Sequence, residues 1–106
     1  MTTPSEMFRD LRQRIANNVR FYRYERGMTQ KEMADHAGLH ANTLYLLESP
    51  ERDYNVPLAM LTTLAHSLHL PVAALMVARE EQPTWRGKPA ARFLKAKKAR
   101  YFDGTR

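Results

Sequence analysis

Between Thr29 and Ser49 the chain has room for two short helices, one tight reversal and little else. Thr29-Gln30-Lys31-Glu32 is a capping box. The threonine hydroxyl satisfies a backbone N–H in the first turn, and the glutamate three residues on reaches back to the cap. Met33, Ala34 and Ala37 supply a short apolar face. Gly38 ends this helix, since glycine takes the left-handed conformation without penalty. Leu39 is the apolar residue of the turn, and a further helix is expected from about Ala41 to Glu48, with Leu44 and Leu47 inward. Ser49-Pro50 breaks it, and Glu51 to Asn55 is a polar loop. Two helices joined so closely pack at a steep angle, and the residue facing the partner must be small. Ala34 fills that place.

The flanking segments are helical in pattern too. Ser5 is the expected cap of a long first helix ending near Gly27, with Phe8, Leu11, Ile15, Val19 and Tyr22 on its apolar face. Arg9, Arg12, Arg14 and Arg20 fall mostly off that face. Val56-Pro57 opens a fourth helix with Leu58, Leu61, Leu64, Ala65 and Leu68 inward. Pro71 is placed to start a short fifth helix through Val72, Leu75 and Met76. Glu80 to Pro89 reads as a linker, and Pro89 to Phe102 as a last basic helix. There is no repeat and no strand-like alternation. The expected fold is all-α, five helices followed by a basic C-terminal tail that is partly helical. The expected division is 1–78 for the domain and 79–106 for linker and tail.

Charge separates the two parts. The 106 residues carry a net +6. From Arg86 onward stand Arg86, Lys88, Arg92, Lys95, Lys97, Lys98, Arg100 and Arg106 against Asp103 alone. Basic and acidic residues nearly balance before that. A basic tail suits a polyanion, nucleic acid first among them, or serves to keep the chain soluble. No apolar run approaches the roughly 18 residues of a membrane span. Met1 to Glu6 lacks the basic flank and apolar stretch of a secretion signal. The absence of cysteine fits a reducing compartment and excludes thiolate metal sites. The expectation is a cytoplasmic protein.

The residues for catalysis are not assembled. His66 and His69, or His36 and His40, form pairs with no third ligand at a zinc-like interval. There is no glycine loop for phosphate and no nucleophile motif. No enzyme activity, cofactor or metal is expected. The helix from Ala41 is instead left with its outer face exposed, at a width the DNA major groove accepts.

Thr29-Gln30-Lys31-Glu32-Met33-Ala34, then Gly38-Leu39, then Leu44-Tyr45-Leu46-Leu47-Glu48, resembles the Cro/cI-type (lambda-repressor-like, XRE) helix-turn-helix family, over about Ile15 to Met76. The resemblance implies a lambda-repressor-like fold and a sequence-specific regulator of transcription, a repressor binding an inverted repeat of double-stranded DNA as a homodimer. It places Thr29 and Gln30 at a phosphate, with Gln30 also bracing the recognition helix. His40, Ala41, Asn42, Thr43, Tyr45 and Leu46 lie on the reading surface. Asn42 is the base reader, since its amide pairs with adenine through two hydrogen bonds. Leu46 either faces DNA or turns to the core. The resemblance also implies an ion pair between Arg23 and Glu48, and backbone contacts from Arg52 and Asn55. Ala41 and Leu46 stand where many relatives carry longer polar residues, and Ser49-Pro50 where a glycine often follows the glutamate. Leu70 to Val77 and the tail are the expected dimer surfaces. The alternative is an antitoxin-type module whose tail engages a partner protein through Trp85, Phe93, Leu94, Tyr101 and Phe102.

Overall fold

The structure, a computed structural model, describes residues 2–52, 54–79, 84–85 and 88–89. Four α-helices, α1 (Pro4–Glu25), α2 (Gln30–Ala37), α3 (Ala41–Leu47) and α4 (Leu58–Ser67), surround one core. Ile15, Val19, Met33, Ala34, Leu44, Leu47, Leu61, Leu64, Ala65, Leu68 and Leu75 are buried together there. Helices α2, α3 and α4 are too short to be stable alone, and burial of their apolar stripes against α1 and one another holds them.

The ends of α2 follow from its sequence. The Thr29 hydroxyl accepts from Glu32 N (3.1 Å), and Thr29 N donates to Glu32 Oε1 (2.8 Å). Gly38 has φ 73°, and Leu39 N donates to Ala34 O (2.7 Å), which turns the chain into α3. The wholly buried Ala34 lies in the junction of the two helices.

Four expectations are corrected. The cap of α1 is Thr3, not Ser5: Thr3 and Glu6 form a second capping box around Pro4, a pattern of the same spacing as at Thr29. Phe8 is 43% exposed, because the first turns of α1, residues 2–10, project beyond the core. Leu58 is 65% exposed, being the first residue of α4. The fifth helix is one 3-10 turn, Val72–Leu75. Four residues suffice to carry Leu75 into the core. The chain is then held by Asn18 Nδ2, which donates to Val77 O (2.8 Å).

At Arg79 the chain still lies against α1. Arg79 Nε donates to Asn18 Oδ1 (2.9 Å), Nη2 donates to the Tyr22 hydroxyl (3.0 Å), and the guanidinium lies 3.9 Å from the Phe21 ring centroid. Within the expected linker, β1 (Thr84–Trp85) pairs antiparallel with β2 (Lys88–Pro89), and β1 runs beside α1. Strands of two residues are too short to show alternation. Residues 90–106, with most of the expected basic helix, lie outside the described residues. Among the described residues no helix is long and apolar enough to cross a membrane.

Burial pushes the Tyr24 phenol up to about 12, against the pull of Arg23, whose guanidinium is 4.6 Å from the ring centroid. The unfolded chain releases this proton near pH 10. The folded state therefore binds the proton more tightly, and the stabilisation is complete below pH 10. It is lost as pH rises towards 12, by roughly 2–3 kcal/mol. Urea unfolding across pH 9 to 12 measures the decline, and Tyr24→Phe is expected to flatten it.

Candidate nucleic-acid interface

Helix α3 is preceded by its cap residue His40, whose side chain makes no capping hydrogen bond, and is followed by Glu48. Leu44 and Leu47 point into the core. Asn42 and His40 are exposed, while Ala41, Thr43, Tyr45 and Leu46 are half-buried. Ala41 touches the rim of the core. The Tyr45 hydroxyl accepts from Arg52 Nη2 (2.7 Å), and the Arg52 guanidinium lies 5.3 Å from the Tyr45 ring centroid. That contact ties the following loop to the outer side of α3. Asn55, further along the loop, is exposed. Thr29 is half-buried with its hydroxyl occupied in the cap.

Gln30 turns inward. It is buried, and its Nε2 donates to Glu48 Oε1 (3.1 Å). Its side chain is thereby occupied in bracing α3. Arg23 Nε donates to Glu48 Oε2 (2.6 Å) and Nη2 to Glu48 Oε1 (2.7 Å), a two-pronged ion pair with both side chains 2% exposed. Arg23 Nη1 also donates to Met28 O (3.0 Å) at the α1–α2 junction. Burial opposes the charge on Arg23, but the Glu48 carboxylate outweighs it and raises the guanidinium pKa.

Sequence reasoning missed two further arginines. Arg12 is buried, and its Nη2 donates to the carbonyls of Leu46 (3.0 Å) and Ser49 (3.2 Å) while Nη1 donates to that of Leu47 (3.2 Å). Arg20 Nη1 donates to Glu48 O (2.8 Å). The Leu46, Leu47 and Glu48 carbonyls close the last turn of α3, where helical partners become scarce, and that of Ser49 follows directly. Cationic donors there also complement the negative end of the helix dipole. A signal existed: Arg12 lies at helical spacing from Arg20 and Arg23, on one side of α1. Backbone carbonyls, however, leave no mark in a sequence.

Of the basic-tail residues Arg86, Lys88, Arg92, Lys95, Lys97, Lys98 and Arg100, only the Lys88 backbone, in β2, is within the described residues. Among the described residues no group of three or more histidine, aspartate or glutamate side chains is placed to hold a metal. The His36 ring nitrogen Nε2 instead meets Ser67 O at 3.0 Å.

Removing one partner of the Arg23–Glu48 pair strands a buried charge. Arg23→Ala and Glu48→Ala are each expected to destabilise by roughly 3–5 kcal/mol. The double variant should cost clearly less than the sum. Chemical denaturation of all four forms of the cycle measures the coupling, and strict additivity would show that the two groups act independently.

No family model matches the chain. Its sequence is 36% identical to Control protein C.SmaI of Serratia marcescens over 69 residues, 65% of this chain and 80% of that protein. Among solved structures it is similar to a hypothetical transcription factor, NHTF from Neisseria, with a TM-score of 0.60 and 25% identity over 84% of this chain and 87% of the other. With the helix-turn-helix of α2 and α3 capped and cored as described, these relationships make the chain a member of the Cro/cI-type (XRE) helix-turn-helix family of transcription regulators.

Proposed function

We infer that this regulator is a cytoplasmic repressor and not an enzyme, and that it binds an inverted repeat of double-stranded DNA as a homodimer. The observation that carries the reading is the posture of α3. Its inner face and its C-terminal end are fixed by buried groups, while Asn42 and its neighbours remain turned outward. On this reading Asn42 reads a base edge, and the Ala41 methyl meets a thymine methyl. Thr29, Gln30, His40, Thr43, Tyr45, Arg52 and Asn55 set the helix against phosphates, and Leu46 packs on the groove wall. One short helix spans few base pairs, so a two-fold dimer supplies the remaining specificity. Pro71, Ala73 and Val77 give the segment Leu70 to Val77 an exposed, largely apolar side for that contact. We assign residues 1–78 to the DNA-binding domain and 79–106 to a linker and basic tail, the tail adding phosphate contacts.

In-vitro selection of bound duplexes from a random pool is expected to return a palindromic site with half-sites about one helical turn apart. Recovery of no preferred sequence would end this reading. Asn42→Ala should relax preference at one base pair per half-site, a drop of about 1–3 kcal/mol in discrimination. An unchanged selection profile would remove Asn42 from the readout.

Ending the chain at Pro89 keeps the β1–β2 ladder and the Arg79 contacts while deleting most of the basic residues of the tail. The shortened protein should remain dimeric in sedimentation. Its log Kd against log salt should flatten by roughly 0.9 for each phosphate that the tail no longer neutralises. A monomer would make the tail a dimer element. Unchanged DNA binding would leave it to a partner protein, as an antitoxin-type module requires.

A further inference from the structure

Arg12 is costly to bury. Its guanidinium is out of water, and desolvation lowers its pKa despite the nearby Glu51 carboxylate. Among the described residues no buried ion pair offsets that cost. Its hydrogen bonds go to backbone carbonyls, those of Leu46, Leu47 and Ser49. An aliphatic side chain would fill the same space without desolvating a charge. The three acceptors span the last turn of α3 and the first residue of the loop that presents Arg52. Arg20 takes the carbonyl between them, on Glu48. The Ser49 hydroxyl closes the turn by donating to Tyr45 O (2.7 Å).

We propose that Arg12 is a positioning residue for DNA recognition: by gripping these carbonyls it fixes the end of the recognition helix and the Arg52 loop in one register, without touching DNA itself. The Arg23–Glu48 pair attaches α3 through a side chain at a single position and leaves the backbone carbonyls beyond it to other donors. Three bonds from a planar fork to the carbonyls of Leu46, Leu47 and Ser49 fix the backbone itself. Arg12 stands on the α1 turn just inside the exposed N-terminal extension, so the first helix sets the geometry of the reading surface.

This rests on the DNA-binding reading above, and the test separates the two. The probes are the duplex selected by the wild-type protein and a scrambled duplex of equal length. Arg12→Met is measured well below its unfolding midpoint. The ratio of specific to scrambled affinity is expected to fall roughly tenfold or more, as when a set of charge-assisted bonds is removed. The salt slope for the scrambled duplex is expected to stay constant. A slope lower by about 1 would instead make Arg12 a phosphate contact. An unchanged ratio would overturn the proposal outright. If Arg12→Met does not fold, Arg12→Lys and Arg20→Met take its place. Lysine restores the charge but not the fork, so the ratio should still fall.

Amide hydrogen exchange in the free protein reads the clamp without DNA. Arg12→Met, or its substitutes, should speed exchange at residues 48–52 selectively while the core amides of α4 are unaffected. Uniform acceleration, or none, would show that Arg12 contributes only global stability. Selective acceleration in a wild-type background that prefers no DNA sequence would keep the clamp and discard the DNA-binding reading.

Discussion

One buried carboxylate joins three helices. Glu48, at the end of α3, receives both prongs of Arg23 from α1 and the amide of Gln30 from the first turn of α2. Neither Arg23 nor Glu48 tolerates burial without the other, since each unpaired charge would be desolvated for nothing. The angle between α2 and α3 is therefore specified twice. Apolar packing around Ala34, Leu44 and Leu47 brings the helices together, and the polar junction admits only the rotation that satisfies all three groups. An apolar core by itself tolerates small slips of one helix on another; a fully bonded polar cluster does not.

The same logic extends along α1, which works as a rail of side-chain donors. Arg12 and Arg20 take the carbonyls ending α3, and Arg26 donates to Leu68 O (3.0 Å) at the end of α4. Asn18 donates to Val77 O after the 3-10 turn, and Arg79 returns a bond to Asn18. Helices this short have a large share of their carbonyls in their last turns, where no helical N–H follows. The long first helix supplies the missing donors. Its length is thereby explained by more than its apolar stripe.

What was legible in the sequence follows from this division. Capping chemistry is local, so Thr29, Glu32 and Gly38 announce both ends of α2, and Thr3 with Glu6 carries the same mark at α1. Apolar periodicity locates the core-facing residues of α1 to α4 but overreaches at helix ends. Phe8 and Leu58 keep the period yet remain exposed. Arg12 breaks the pattern in the opposite sense. It looks like a solvated arginine, because its partners are backbone carbonyls brought close only by the folded chain. Gln30 stands between these cases: its place at the start of α2 suits a phosphate, while the bracing role that the resemblance implies is the one its side chain fills, on Glu48. The 3-10 turn escapes for want of length, since four residues carry no period.

The arginines of the domain also bear on how such a fold meets a polyanion. Arg12, Arg20, Arg23, Arg26 and Arg79 donate to carbonyls, carboxylates, an amide or a phenol within the chain, Arg14 pairs with Asp10, Lys31 with Asp35, and Arg52 leans on Tyr45. Most of the positive charge before Trp85 is thus already engaged in holding the fold. Acidic residues roughly balance it, and the outer face of α3 offers Asn42 and His40 rather than lysine or arginine. A surface of this kind offers hydrogen-bonding groups and shape and exerts little long-range attraction on a polyanion. The remaining basic residues of the sequence are concentrated after Trp85. Scaffold and charge are in this way separated along the chain: the arginines before Trp85 serve as donors within the fold, and the net positive charge of the sequence resides after it.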